Sequence, residues 1–427
     1  MTKMDLNTVV SHIGEPETVE AIRPHWEESV TSLPKDLPGF LRPNQITVAR
    51  EWGGFGPEVD SVLIETASRI AAEPILRHLA WHAHQLMFVH TDFSDFGRWP
   101  RLEGALGARA GVFYLLLSLA VVPRIRKAHR SRGVPEEVTR ANCRDLSIGA
   151  KRYSAISGGR LGSGRRLLGW HRLVASGDLY RLGRMQYVHR PFRGRLRVYR
   201  NRGTGNTVAL SDGGIQYDGE GYIAGPDDSS GEESPRTSTL EETETTVTGT
   251  PISPKGMAVR SQVTLSLDEW SPALATGDPV LEMHIPEGEP LSLEACGSSM
   301  RRAVDFFPVY EPDKPFAGIA STSWIFNTQL EEMLSTSSNL VGYQHELHLF
   351  PVPTNGRAGL YFIFYQDDVD PETAPRDTSL KRAVLDHLAA GKPLRSGGMF
   401  MLTEDLPHFG TQYYRKKWPP QDIGTDP

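Results

Sequence analysis

Apolar positions recur with two different periods along the chain, and the change of period divides it. Up to about residue 165 the spacing is helical. Residues 59–88 place Val62, Leu63, Ile70, Ile75, Leu79 and Leu86 at intervals that collect them on a helix face. The 13-residue apolar run 110–122 is shorter than the roughly 20 residues of a membrane span, so it predicts a buried helix. Pro135, Glu136 and Glu137 suit the first turn of another helix, with Val138, Cys143 and Leu146 behind them. Residues 170–187 predict a helix that passes through a Gly-Asp turn into a strand. Short strands at 196–199 and 207–210 follow.

The second half alternates. Residues 280–286 (VLEMHIP) have period two and predict a strand, with Leu281, Met283 and Ile285 on one face and Glu282 and His284 on the other. Ser292 stands where a helix N-cap belongs. Leu293, Cys296, Met300, Val304 and Phe307 then mark an amphipathic helix to residue 307. Strands are expected at 316–326, 341–351 and 360–365, with a short helix at 328–334. Residues 225–256, rich in Ser, Thr, Glu, Pro and Gly, have little to bury. They read as a mobile acidic insertion.

Composition narrows the class. With 427 residues, 39% of them hydrophobic and 23% charged, the chain suits a soluble protein of two or three domains. Its two cysteines, Cys143 and Cys296, exclude a disulfide framework and CxxC zinc sites. No secretory signal is visible, and a cytoplasmic location without membrane association is expected. The net charge of −6 is unevenly spread. Residues 144–202 hold 15 Lys and Arg against two acids, whereas 227–244 hold seven acids against one Arg. The basic block suits either an anionic partner or a solvated face.

Five segments carry a resemblance: GDLYRLGRMQY (177–187), LEMHIPEGEPLSLEACGSSMRRAVDFF (281–307), STSWIFNTQL (321–330), SNLVGYQHELHLF (338–350) and APRDTSLKRAVLDHLAAGKPLRSGGMF (374–400). Together and in this order they resemble a bacterial acyltransferase-like family. Its members join a helical N-acyltransferase N-terminal domain to a GNAT-like C-terminal domain. The resemblance implies an α+β protein: a helical domain over 1–165, a GNAT-like mixed-sheet α/β domain over 166–415 carrying the insertion, and a tail over 416–427. It also implies an acyltransferase that moves an acyl group from a CoA or carrier-protein thioester to an amine. The acceptor would be a small molecule or a carrier protein, and the thioester a co-substrate rather than a tightly bound cofactor. The alternative is a non-catalytic GNAT-like binding or regulatory module that has lost CoA. Aminoacyl-tRNA as donor is a lesser alternative, and no nucleic-acid partner is expected.

In GNAT enzymes a splayed strand and the following helix N-terminus hold the pantetheine and pyrophosphate, because unpaired N–H groups and the positive end of the helix dipole converge there. The corresponding positions include Ile285 and Gly288. Glu287, Glu289 and Glu294 would repel a pyrophosphate, so arginines from elsewhere, with Arg165 and Arg166 as candidates, or a ligand other than CoA must be involved. His284, with Glu282 two residues away on the same face, is the candidate general base. Tyr343 is the candidate general acid for the leaving thiolate, by analogy with GNAT enzymes. Trp324 and Asn327, at the end of a strand, are expected to border the acceptor pocket, together with Ser298 and Ser299. His78, His82, His84 and His90 cluster in sequence. They lack an HExxH pattern, and no metal site is expected among them.

Overall fold

A computed structural model describes residues 4–93, 95–224, 235–366 and 368–420. The chain forms two compact units. One comprises Met1–Arg181 and Pro286–Gly288, the other Leu182–Ile285 and Glu289–Pro427. The first boundary therefore falls after residue 181 rather than near 165. Helix Leu167–Ala175, with Leu168, His171 and Val174 buried, packs against the apolar helix Ala110–Leu119 of the first unit.

The first unit is helical among its described residues, up to the short strand Tyr180–Leu182 that begins as the unit ends. At its centre Ala110–Leu119 is buried on every side. The helical stretch Glu103–Ser131 is long and apolar enough to cross a membrane, but 78% of its apolar window is buried inside the protein. It is a core element of this unit.

Five of the six strands of the main sheet lie wholly in the second unit: β1 (Met185–Pro191), β2 (Pro279–His284), β3 (Gly318–Ser323), β4 (His348–Pro351) and β5 (Gly397–Leu402). Their spatial order is β1-β2-β3-β5-β4, with β2 parallel to β3 and the other pairings antiparallel. Helix Leu293–Tyr310 begins at Ser292, whose Oγ accepts the Ala295 amide at 3.2 Å, as the N-cap pattern requires.

Three expectations fail here. Residues 339–345 are helical, and only His348–Pro351 is a strand, so Tyr343 stands on a helix. The aromatic run near 360 is the helix Leu360–Phe364. Leu360, Ile363 and Phe364, at i, i+3 and i+4, bury against Val384, Leu385 and Leu394. The run is too short for periodicity to separate the two states, and packing decided. The supposed insertion is largely ordered: Leu240–Glu242, Thr246–Gly249 and Val263–Ser266 form a three-stranded sheet. Val247, Val263 and Leu265 pack with Tyr199, Val208, Leu210 and Trp270. A few apolar residues on alternating positions give this polar segment a core to cover. Residues 225–234 of that expectation lie outside the described residues.

β5, buried along its whole length, carries no alternation and was not anticipated as a strand. Its Gly398 lets the Phe350 ring lie against the backbone, since a Cβ there would stand 2.2 Å from that ring.

Candidate active site

The parallel pairing of β2 with β3 covers only Leu281 opposite Ile319 and Glu282 opposite Ala320. Each strand nevertheless continues with its other neighbour. β2 pairs with β1 as far as His284 opposite Gln186, and β3 with β5 as far as Ser323 opposite Gly397. The two strands therefore part beyond Glu282 while both remain extended. Backbone groups on the facing edges are released from the ladder at the place where His284 stands.

Directly opposed residues share a sheet face. Glu282 and His284 lie with Gln186, Val188, Ala320 and Thr322 on one face. His284 Nε2, itself shielded from solvent, is 3.3 Å from Glu282 Oε1, while the two side chains as wholes are 27% and 32% exposed and lie at the margin of the open face. Glu282, Ala320, Thr322, Phe192 and Phe350 line a cavity of about 120 Å³ on the same unit. A partly exposed imidazole beside a carboxylate can accept a proton from an incoming nucleophile while the carboxylate holds the ring in place.

The opposite face is closed. Tyr343 is fully buried, with its hydroxyl 3.4 Å from Met283 Sδ and 3.8 Å from Met185 Sδ. Burial holds its hydroxyl well above the ordinary tyrosine range. A general acid must reach the leaving atom, and a phenol enclosed between two thioethers on the far side of the sheet from His284 does not. Ser299 is also buried. Its hydroxyl donates to the Leu182 carbonyl at 2.5 Å, accepts the Met185 amide at 3.1 Å and lies 3.1 Å from the Tyr187 hydroxyl. It anchors β1 to helix Leu293–Tyr310 and has no capacity left for substrate. Ser298, its neighbour, is exposed.

Trp324 and Asn327 separate from the site as well. Trp324 packs on the cluster around Leu360 and Leu385, and Asn327 is buried in the turn that follows it. Asn327 Oδ1 accepts the Gln329 amide at 3.1 Å, and its carbonyl accepts Gln344 Nε2 at 3.0 Å. Both are turn-builders.

The loop after β2 is less hostile to an anion than its carboxylates suggest. Glu287 is held by Arg152 Nε at 2.7 Å, both residues belonging to the first unit. In the second unit the buried Arg184 donates Nε to the Glu289 carbonyl at 2.8 Å. Gly288, exposed and at φ +132°, supplies a conformation other residues rarely adopt. By helix geometry the Leu293 and Glu294 amides have no intrahelical acceptor. Ile285 follows directly on β2, where the ladder with β3 has ended. Arg165 is tied through Nε to the Gly97 carbonyl at 2.8 Å, and Arg166 is exposed. Sequence reasoning missed Arg152 and Arg184. The basic block was the only signal, and it does not say which arginines turn inward.

Part of that block is engaged in ion pairs: Arg200 with the buried Asp405 at 2.8 Å, and Arg197 with Glu242 at 2.6 Å on the surface. Among the early histidines, His82 is enclosed between Ser29 Oγ and the Ile22 carbonyl, and His84 is stacked on Phe40 and Trp81. Burial lowers both to about 4. His78 bonds the Pro74 carbonyl, so these three do not converge on one point.

Residues 179–401 match the GNAT-like C-terminal domain family, and residues 47–172 match the N-acyltransferase N-terminal domain. The chain belongs to this acyltransferase family. Solved structures agree in fold. A crystal structure of an acyltransferase mutant in complex with octanoyl-CoA superposes with a TM-score of 0.62 at 22% identity, covering 93% of this chain and 99% of that one. An acyltransferase in complex with CoA and 10C-teicoplanin gives the same values. An acyltransferase in complex with decanoyl-CoA gives 0.59 at 21% identity over the same coverage. No curated protein matches the chain.

Proposed function

We propose that this protein transfers an acyl group from acyl-CoA to the amine of a small molecule. The observation that carries the reading is the parting of β2 from β3 beyond Glu282, with His284 and Glu282 on the open face beside it. A thioester threaded between the parted edges meets backbone amides that no longer serve the sheet. Such preorganised donors stabilise the negative charge that develops on the thioester oxygen. The amine nitrogen attacks the thioester carbon, and His284 takes a proton from that nitrogen. The C–S bond then breaks, and the departing CoA thiolate is protonated by the imidazolium or by water. Glu282 keeps the ring oriented through this exchange. The amides of Leu293 and Glu294, with Ser292 capping the turn, offer a site for the pyrophosphate.

The similar structures hold CoA, octanoyl-CoA and decanoyl-CoA, so medium-chain thioesters are the first donors to test. Calorimetric titration with CoA, acetyl-CoA and decanoyl-CoA should show binding at micromolar strength. Thiol release should follow when an amine-bearing acceptor is added. No heat with any thioester, at protein concentrations that detect millimolar affinity, overturns the reading.

A further inference from the structure

We propose that the first unit carries a divalent transition-metal site of the zinc type, built from His25, Glu28 and His90. One ligand atom from each lies within 4.8 Å of the others. His25 Nδ1 stands 3.6 Å from Glu28 Oε1, and His90 Nε2 stands 3.6 Å from Glu28 Oε2. A charge-assisted N–H···O bond would draw such pairs to about 2.7–2.9 Å. Ligand atoms about 2.0–2.2 Å from a common ion, set at tetrahedral angles, are held apart at roughly the separation seen here. Two imidazoles and one carboxylate form a donor set suited to zinc, with a fourth position for water.

Three further features fit. The other nitrogen of His25, Nε2, faces Asp92 Oδ2 at 3.5 Å, longer than a charge-assisted hydrogen bond but placed so that a small side-chain rotation gives the carboxylate–histidine–metal arrangement. His25 is a non-glycine residue in the left-handed region, at φ +59° and ψ 15°. This backbone state costs a bulky residue energy and sets the direction of its side chain. His90 is fixed from the other side, its amide bonding the Gln85 carbonyl at the end of helix Pro74–Phe88. The two rings stack, centroids 3.9 Å apart and planes 9° apart. An ion held by both must turn them out of parallel by rotation about their side-chain torsions, and Glu28, 66% exposed, is free to follow. The ion would tie the turn before helix Trp26–Thr31 to the segment after Pro74–Phe88. It would act as a structural clamp on the first unit, independent of the acyl-transfer chemistry.

The test uses the full chain, stripped with chelator and titrated with zinc chloride against a chromophoric competitor. Co²⁺ serves as a spectroscopic substitute. The expected result is one zinc per chain at micromolar or tighter affinity, with cobalt absorption of tetrahedral type. The double variant His25→Asn/His90→Gln should weaken binding at least 100-fold, asparagine being chosen because it tolerates the left-handed backbone. Glu28→Gln, at an exposed position where folding is not at risk, should weaken it at least tenfold. Asp92→Asn should weaken it about tenfold through the ring it orients. Affinity weaker than about 100 μM in the parent, or unchanged affinity in both Glu28→Gln and the double variant, overturns the proposal.

Discussion

The two faces of β2 differ more than their spacing along the chain suggests. Leu281 and Met283 point into a packed layer with Tyr187, Ser299 and Tyr343, where each hydroxyl has a neighbour within the fold. Glu282 and His284, one residue away in each case, stand on a face with a cavity and solvent. One strand thus separates holding from reacting by the alternation of its side chains. Catalytic-looking residue types are therefore informative only with their face. Tyr343 and Ser299 carry suitable atoms but lie on the closed side, and His284 lies on the open one.

Breaking this contrast begins with His284→Ala. Loss of a positioned general base is expected to lower kcat by about 10²–10⁴-fold while Tm stays within a degree or two, measured by thiol release and thermal melts. Retained kcat would remove His284 from the chemistry. On the closed face Ser299→Ala should act on stability. It leaves the Met185 amide and the Leu182 carbonyl without their partner, at a cost of about 1–3 kcal/mol by denaturant unfolding. Glu282→Gln keeps the shape and removes the charge that steadies the ring, and should cost about tenfold in kcat with little change in KM. Tyr343→Phe should do least, because among the described residues its hydroxyl bonds only two sulfur atoms. A hundredfold fall in kcat for that variant would mean that the closed face opens during turnover.

Acid sharpens a further contrast, between buried and reachable histidines. Burial lowers His82, His84 and His171 to about 4 and His348 to about 3, against an ordinary value near 6.5. Between pH 6.5 and about 4 the unfolded chain therefore binds protons that the folded chain does not. Stability falls as pH falls through that window. Thermal melts should show Tm declining across it, and His348→Gln should flatten the slope by the share of one proton. An unchanged slope in that variant would show that His348 is not held neutral.

Much of the site was legible because it is local. The i, i+2 relation of Glu282 to His284 and the Ser292 cap follow from period and position within a few residues. The helical first half was equally readable, since its apolar spacing persists over many turns. Tyr343 was misread because Val341 and Tyr343 alternate over too short a stretch to distinguish a strand from a helix. Gln344, bonded to the carbonyls of Ile325 and Asn327, shows how distant backbone anchors that helix. The ordered strands between 236 and 252 were missed for a related reason. Each buries little by itself, and only residues far along the chain, Tyr199 and Trp270 among them, complete their core.

The sequence by itself determined the period of the long elements, the face on which Glu282 and His284 lie relative to Met283, and the family. These depend on neighbours a few residues apart or on long runs of matching residues. Only the tertiary structure decided that β2 and β3 part after two pairings and that Arg152 partners the Glu287 carboxylate. It alone decided that Tyr343 and Ser299 are sealed away, and that His90 meets His25 rather than His82 or His84. Each of these depends on which distant segments fill the space beside a residue, and local periodicity carries no information about that.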